Sequence, residues 1–168
     1  MIRPIELMAV AACFAVVCTL WWTYFDHSNA AITSALEGAR EHVVISRHLA
    51  YGHFGVVGGI VCIAVGFENM VTQPGATMTF THLNLLYGGS ILLLISMVYM
   101  RWVMSKVLRV ARLATVVALL LLMFVALLIP GLAATLLLAT MLFAVVCVEK
   151  RWPAFSSRRV ELATPAEG

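Results

Sequence analysis

The sequence predicts an all-α protein, a polytopic bundle of about five transmembrane helices with the N-terminus outside the membrane and the C-terminus in the cytoplasm. Three observations predict it. Hydrophobic residues make up 62% of the 168-residue chain and charged residues only 11%, against roughly 25% charged in soluble domains. The apolar residues run in stretches of bilayer length that are greasy all round, the pattern of a helix surrounded by lipid. The lysines and arginines cluster at alternate ends of those stretches. A chain of this length makes a single unit. A net charge of +3, carried at the ends of apolar runs, gives no nucleic-acid surface.

The first span covers residues 4–26. Pro4 suits a first helical turn, where its missing N–H is not needed. The apolar stretch ends in Trp21-Trp22-Thr23-Tyr24-Phe25-Asp26 rather than in small residues, so it reads as a retained helix and not a cleaved signal. Residues 28–46 are more polar. Ile32, Leu36, Ala39 and Val43 recur at helical spacing while Ser34, Glu37 and Glu41 fall off that stripe, which suits a short amphipathic helix on the membrane surface.

The second span covers 47–71 and stops at the turn signal Thr72-Gln73-Pro74-Gly75. The third covers 80–103. Residues 113–148 carry no charge. As one helix they would reach about 54 Å, too long for a hydrocarbon core of about 30 Å. Pro130-Gly131 breaks the run into spans at 110–129 and 131–149. Each is barely long enough, so a hairpin that dips without crossing stands as the alternative. Residues 150–168 form a polar cytoplasmic tail with Pro153 and Pro165.

Lysine and arginine placement sets the orientation. Arg101, Lys106, Arg109 and Arg112 follow the third span. Lys150, Arg151, Arg158 and Arg159 lie in the tail, and Arg40 and Arg47 follow the first span. The turns after the second and fourth spans carry none. With the N-terminus outside, every basic residue except Arg3 faces the cytoplasm. An outside N-terminus on so short a leader is natural if preceding helices are absent.

This topology sorts the polar residues by depth. Tyr24, Asp26, His27, His48, Tyr51 and His53 share the inner level. Glu68, Asn69, His82 and Asn84 share the outer one. Asp26 opposes the dipole at the end of its helix. It either finds a partner, with Arg47 and His48 nearest, or sits in interfacial water beside an aromatic belt of Trp21, Trp22 and Tyr24. Glu68 either faces His82 as a proton-relay pair or is solvated among the headgroups.

The second span carries a stripe of His48, Gly52, Gly55, Gly59, Cys62 and Gly66, whose small members permit close helix approach. His82, Leu85, Gly89, Leu92, Ser96 and Tyr99 form a matching stripe on the third span. The two faces are expected to meet. The last two spans offer only Thr115, Thr135 and Thr140 as interior polar groups.

No cofactor or metal is expected. A bis-histidine haem needs two ligands at one depth on facing helices, but His48 and His53 sit inside on different faces and His82 sits outside. Cys13, Cys18, Cys62 and Cys147 lie inside apolar runs without metal spacing and read as small buried hydrophobes. No metalloprotease, phosphate-loop or nucleophile-elbow motif occurs, so the chain is not expected to be an enzyme.

Trp21, Trp22, Tyr24, Phe25 and Asp26, followed by His27, resemble the W-W-x-Y-F-D signature of the bacterial low temperature requirement A family. The block from Arg40 through His48-Leu49-Ala50-Tyr51-Gly52-His53 to Gly66-Phe67-Glu68 is similar to that family's next segment, a small-residue helix ending in G-x-E. The resemblance covers residues 19–71 and continues as hydropathy to the end. It concerns the C-terminal portion of longer members, whose N-terminal half carries an E-L-F-F-D-type motif absent here. It implies a multi-pass protein of the bacterial inner membrane linked to growth in the cold.

Two functions follow as expectations. One is permeation of an ion, proton or small solute, with Asp26, His48, His53, Glu68 and His82 as a polar relay. The other is a non-catalytic structural or assembly role. In it Gly52, Gly55, Gly59, Gly66 and Gly89 form a packing seam, and the partner is a second copy or a missing N-terminal half.

Overall fold

The computed structural model describes residues 3–25, 42–105, 107–108, 110–151 and 158–159. Among these residues five helices follow one another: α1 Pro4–Phe25, α2 His42–Thr72, α3 Phe80–Ser105, α4 Val110–Ala126 and α5 Gly131–Arg151. Two two-residue strands, β1 Val107–Leu108 and β2 Arg158–Arg159, pair antiparallel and tie the α3–α4 connector to the chain beyond α5. Of the polar segment expected to lie on the membrane surface, residues 28–41 are outside the described residues, and the remainder enters α2 as its first turn.

Local chemistry explains the ends of the helices. At the start of α1 the Glu6 carboxylate accepts hydrogen bonds from the Arg3 backbone N–H at 3.1 Å and from Arg3 Nε at 2.8 Å. This is the reach-back contact that satisfies a donor at a helix N-terminus. Pro130 divides the chain's longest uncharged run, residues 113–148. A turn stabilised by the Leu128 N–H to Val125 carbonyl bond of 3.0 Å precedes it, and α5 starts at Gly131.

The turns 73–79 and 127–130 are stitched together. Gly131 N–H donates to the Ala76 carbonyl at 2.8 Å, Leu132 N–H donates to the Pro74 carbonyl at 3.2 Å, and Thr77 bridges Pro130. Ile5 at the start of α1 approaches Gly75 in the same region. At the opposite end His48 of α2 meets Tyr99 of α3, and Arg112 of α4 meets the Thr23 carbonyl of α1. Successive helices therefore alternate in direction. Arg47, Arg101, Arg112, Arg151, Arg158 and Arg159 gather at one end, hereafter the basic end, and Arg3 stands at the other.

Four helices are long and apolar enough to cross a membrane: Pro4–Tyr24, Arg47–Thr72, Phe80–Met104 and Gly131–Val148. The apolar part of α4, Arg112–Ala126, is shorter. The whole of α4 has 17 residues, about 26 Å, against a hydrocarbon core of about 30 Å. Large apolar side chains such as Leu7, Phe14, Phe54, Leu121, Phe124 and Phe143 point outward. That arrangement suits hydrocarbon rather than water as the solvent.

The central helix is α3. Leu83, Leu86, Tyr87, Leu93 and Leu94 are buried there. Inside the bundle, hydroxyl groups bond to their own helices. Thr19 donates to Ala15, Thr23 to Thr19, Ser90 to Leu86, Ser96 to Leu92 and Thr135 to Gly131. Backbone and side-chain polarity is thereby satisfied without water. Tyr87 Oη instead crosses to α5, donating to the Ala134 carbonyl at 2.8 Å.

The tightest packing joins α2 to α3. A Cβ at Gly59 would lie 2.8 Å from the Gly89 carbonyl oxygen, and one at Gly66 would lie 2.8 Å from the Leu86 backbone nitrogen. Gly52 faces Met100, and Gly55 faces Ser96. The receiving face of α3 is therefore Leu86, Gly89, Leu93, Ser96 and Met100. It lies one residue beyond the expected Leu85, Leu92 and Tyr99, and Leu92 is exposed. The observed positions alternate steps of three and four, the seam that two helices keep when they wrap around each other.

Candidate polar site at the basic end

Arg112 is the most deeply buried charge among the described residues, with 2% of its surface exposed. It lies in the first turn of α4. Its Nη2 donates to the Thr23 carbonyl at 3.4 Å, and its Nη1 lies 4.0 Å from the Met97 sulfur. Thr23 belongs to the last turn of α1, where carbonyls lack partners within the helix and the dipole end is negative. A guanidinium suits that position, and its charge is permanent. Arg101, one turn beyond Met97 on α3, is half-buried.

Two histidines of α2 stand toward the same end of the bundle, and they diverge. His48 Nδ1 and Tyr99 Oη share a hydrogen bond of 2.5 Å, with the rings edge to face at 6.0 Å. This short bond joins the first part of α2 to the last part of α3. His53 instead approaches Tyr24 of α1, with ring centroids 6.5 Å apart. Trp21 and Trp22, near the end of α1, are exposed at 58% and 47%, the placement of interfacial anchors. Asp26 and His27 lie outside the described residues, as do the side chains of Phe25 and Asn69.

At the other end, Glu68 and His82 are not joined. Glu68 is exposed and forms no ion pair among the described residues, where Arg3 and Glu6 do at 2.8 Å. His82 is half-buried. Its Nδ1 is shielded from solvent and has no hydrogen-bond partner among the described residues. Asn84 bonds the Phe80 carbonyl of its own helix at 2.8 Å. Between the two ends, Leu86, Leu93 and Leu94 of α3 are buried, and the hydroxyls of Tyr87 and Ser90 among them are taken up by backbone carbonyls. Among the described residues no group of three His, Cys, Asp or Glu side chains is placed to hold a metal ion.

Sequence reasoning missed the burial of Arg112, which it grouped with the basic connector. A usable signal was present. Arg112 falls on the helical face of Val116, Leu119 and Ala126, all buried, at spacings that put one side of a helix inward. Thr115, also expected in the interior, is buried beside it. Thr135 is buried in α5, whereas Thr140 is exposed and bonds its own helix.

Comparison with known proteins adds a family. The model described as bacterial low temperature requirement A protein (LtrA) matches residues 4–147. An uncharacterized protein of Rhizobium meliloti (strain 1021) is 32% identical over 99 residues, which cover 57% of this chain and 24% of that protein. The chain thus spans about a quarter of the length of this curated relative. No solved structure matches.

Proposed function

Since the chain belongs to the bacterial low temperature requirement A family, we propose that it is a multi-pass inner-membrane protein that helps an ion, proton or small solute to permeate, with its basic end in the cytoplasm. The carrying observation is Arg112, buried with its guanidinium against the end of α1. Within a bilayer an arginine costs about 2.5–3.5 kcal/mol on insertion scales, and intramembrane charges mark substrate and ion paths. Arg112 supplies the fixed charge. His48 with Tyr99, and His53 with Tyr24, supply rings that exchange protons. Asp26 belongs to the same relay on sequence grounds, with Glu68 and His82 as its far stations. The apolar layer of α3 between the stations means that conduction needs a rearrangement of the helices.

The test is flux into liposomes under an imposed proton or ion gradient. Wild type is expected to exceed empty liposomes. His48→Gln, which leaves a side chain able to hydrogen-bond Tyr99, is expected to lower the rate about tenfold, equivalent to ~1.4 kcal/mol on the barrier. Flux no greater than in empty liposomes removes this reading.

A second reading, a non-catalytic assembly role, draws support from the broad apolar faces of α1 and α2, including Phe14, Phe54 and Val61. On it those faces pack against a second copy or further helices of a longer protein. The α2 glycine seam is already occupied by α3, so assembly would use these outer faces. Under this reading His48→Gln is silent in flux. Neither reading assigns a catalytic residue or a cofactor.

A further inference from the structure

α1 lies chiefly against α5, and α2 against α3. The outer parts of α1 and α2 therefore diverge and leave an apolar groove of about 470 Å³ between them. Leu93 and Met97 of α3 line it along with the two diverging helices, and Ala64 of α2 borders it. Along α2 it extends from His53 to Phe67, about 21 Å at 1.5 Å per residue. Its polar groups are concentrated at one end, at Trp21, Tyr24 and His53. That end is also where the exposed Arg47 and Arg151 and the half-buried Arg101 stand.

We propose that this groove holds one acyl chain of an anionic phospholipid, with the headgroup at the basic end. Three arguments select that occupant. The walls offer water almost no hydrogen-bond partners, and such cavities stay dry. The groove is long and open along one side, so a single flexible hydrocarbon chain can follow it along its length. Finally, the arginines complement an anionic headgroup, and the tryptophan and tyrosine suit headgroup depth. The inference stands apart from the permeation reading and requires only that the helices lie in a bilayer.

The experiment is mass spectrometry of lipid retained by the intact chain after purification and washing in mild detergent. Wild type is expected to keep phosphatidylglycerol in preference to phosphatidylcholine when offered both. Ala64→Trp, which fills the groove from an exposed position, is expected to reduce retention about tenfold. Val57→Trp, on the same groove wall, serves if the first variant does not fold. Leu121→Trp, exposed on α4 away from the groove, is expected to leave retention unchanged. Equal retention by wild type and a folded groove-filling variant overturns the proposal. So does a quinone or peptide recovered in place of phospholipid, or indifference to headgroup charge.

Discussion

Gly59→Leu and Gly66→Leu are each expected to part α2 from α3 and cost about 3 kcal/mol or more, at the upper end of what overpacking a close-packed interface costs. The reason is what the new side chains would meet. At both positions a Cβ alone would press on the backbone of α3, at the Gly89 carbonyl or the Leu86 nitrogen. A backbone wall cannot swing aside as a flexible side chain can. Gly52 faces the Cγ and sulfur of Met100, a side chain rather than backbone, so Gly52→Ala is the milder change. Gly88 has open space where its Cβ would be, so Gly88→Ala is expected to be neutral, or to stabilise slightly through helix propensity. Thermal unfolding followed by size-exclusion chromatography separates these outcomes. If Gly59→Leu and Gly66→Leu remain as folded as Gly88→Ala, the α2–α3 contact is wrong.

The second large effect concerns Arg112→Ala. It removes a side chain that is 2% exposed and the donor that reaches the Thr23 carbonyl. The void and the lost bond together are expected to cost about 2–4 kcal/mol. Arg112→Met separates the two contributions. Methionine refills the volume without the charge, and apolar replacement of a buried charge is often tolerated. Its loss should therefore be smaller than that of alanine. Arg112→Lys keeps the charge but not the planar fork, and should also fall between. Arg47→Ala, at an exposed position, is expected to stay within about 0.5 kcal/mol of wild type. Arg112→Ala unfolding together with Arg47→Ala would show that burial of the guanidinium contributes nothing.

These two cases mark what the sequence made legible. Helix existence was readable because a bilayer demands long apolar stretches with internally satisfied backbones, and Pro130-Gly131 divided the last such stretch visibly. The small-residue stripe of α2 was readable because close approach requires an absent side chain whatever the partner. On α3, Gly89 and Ser96 lie on the receiving face as expected, while Leu86, Leu93 and Met100 stand there one residue beyond Leu85, Leu92 and Tyr99, since a wrapped seam departs from ideal helical phase.

Charge depth was less legible. Arg112 stands in sequence with the basic residues Arg101, Lys106 and Arg109, and only the rotation of α4 carried it inward. Glu68 and His82 share an end of the bundle, yet depth alone does not bring two side chains into contact. The short length of α4 follows from where the 127–130 turn is pinned by Ala76, a tertiary contact that hydropathy does not record.

Every proposal of mechanism rests on alternating helices that collect the arginines at one end, with that end inside the cell. Single cysteines placed at Gln73, Lys106 and Arg151 in a background lacking the native cysteines test this directly on intact cells with a membrane-impermeant maleimide. The account predicts that Gln73→Cys is labelled from outside, and that Lys106→Cys and Arg151→Cys react only after the membrane is opened. Labelling of Gln73→Cys and Arg151→Cys from the same side would contradict it.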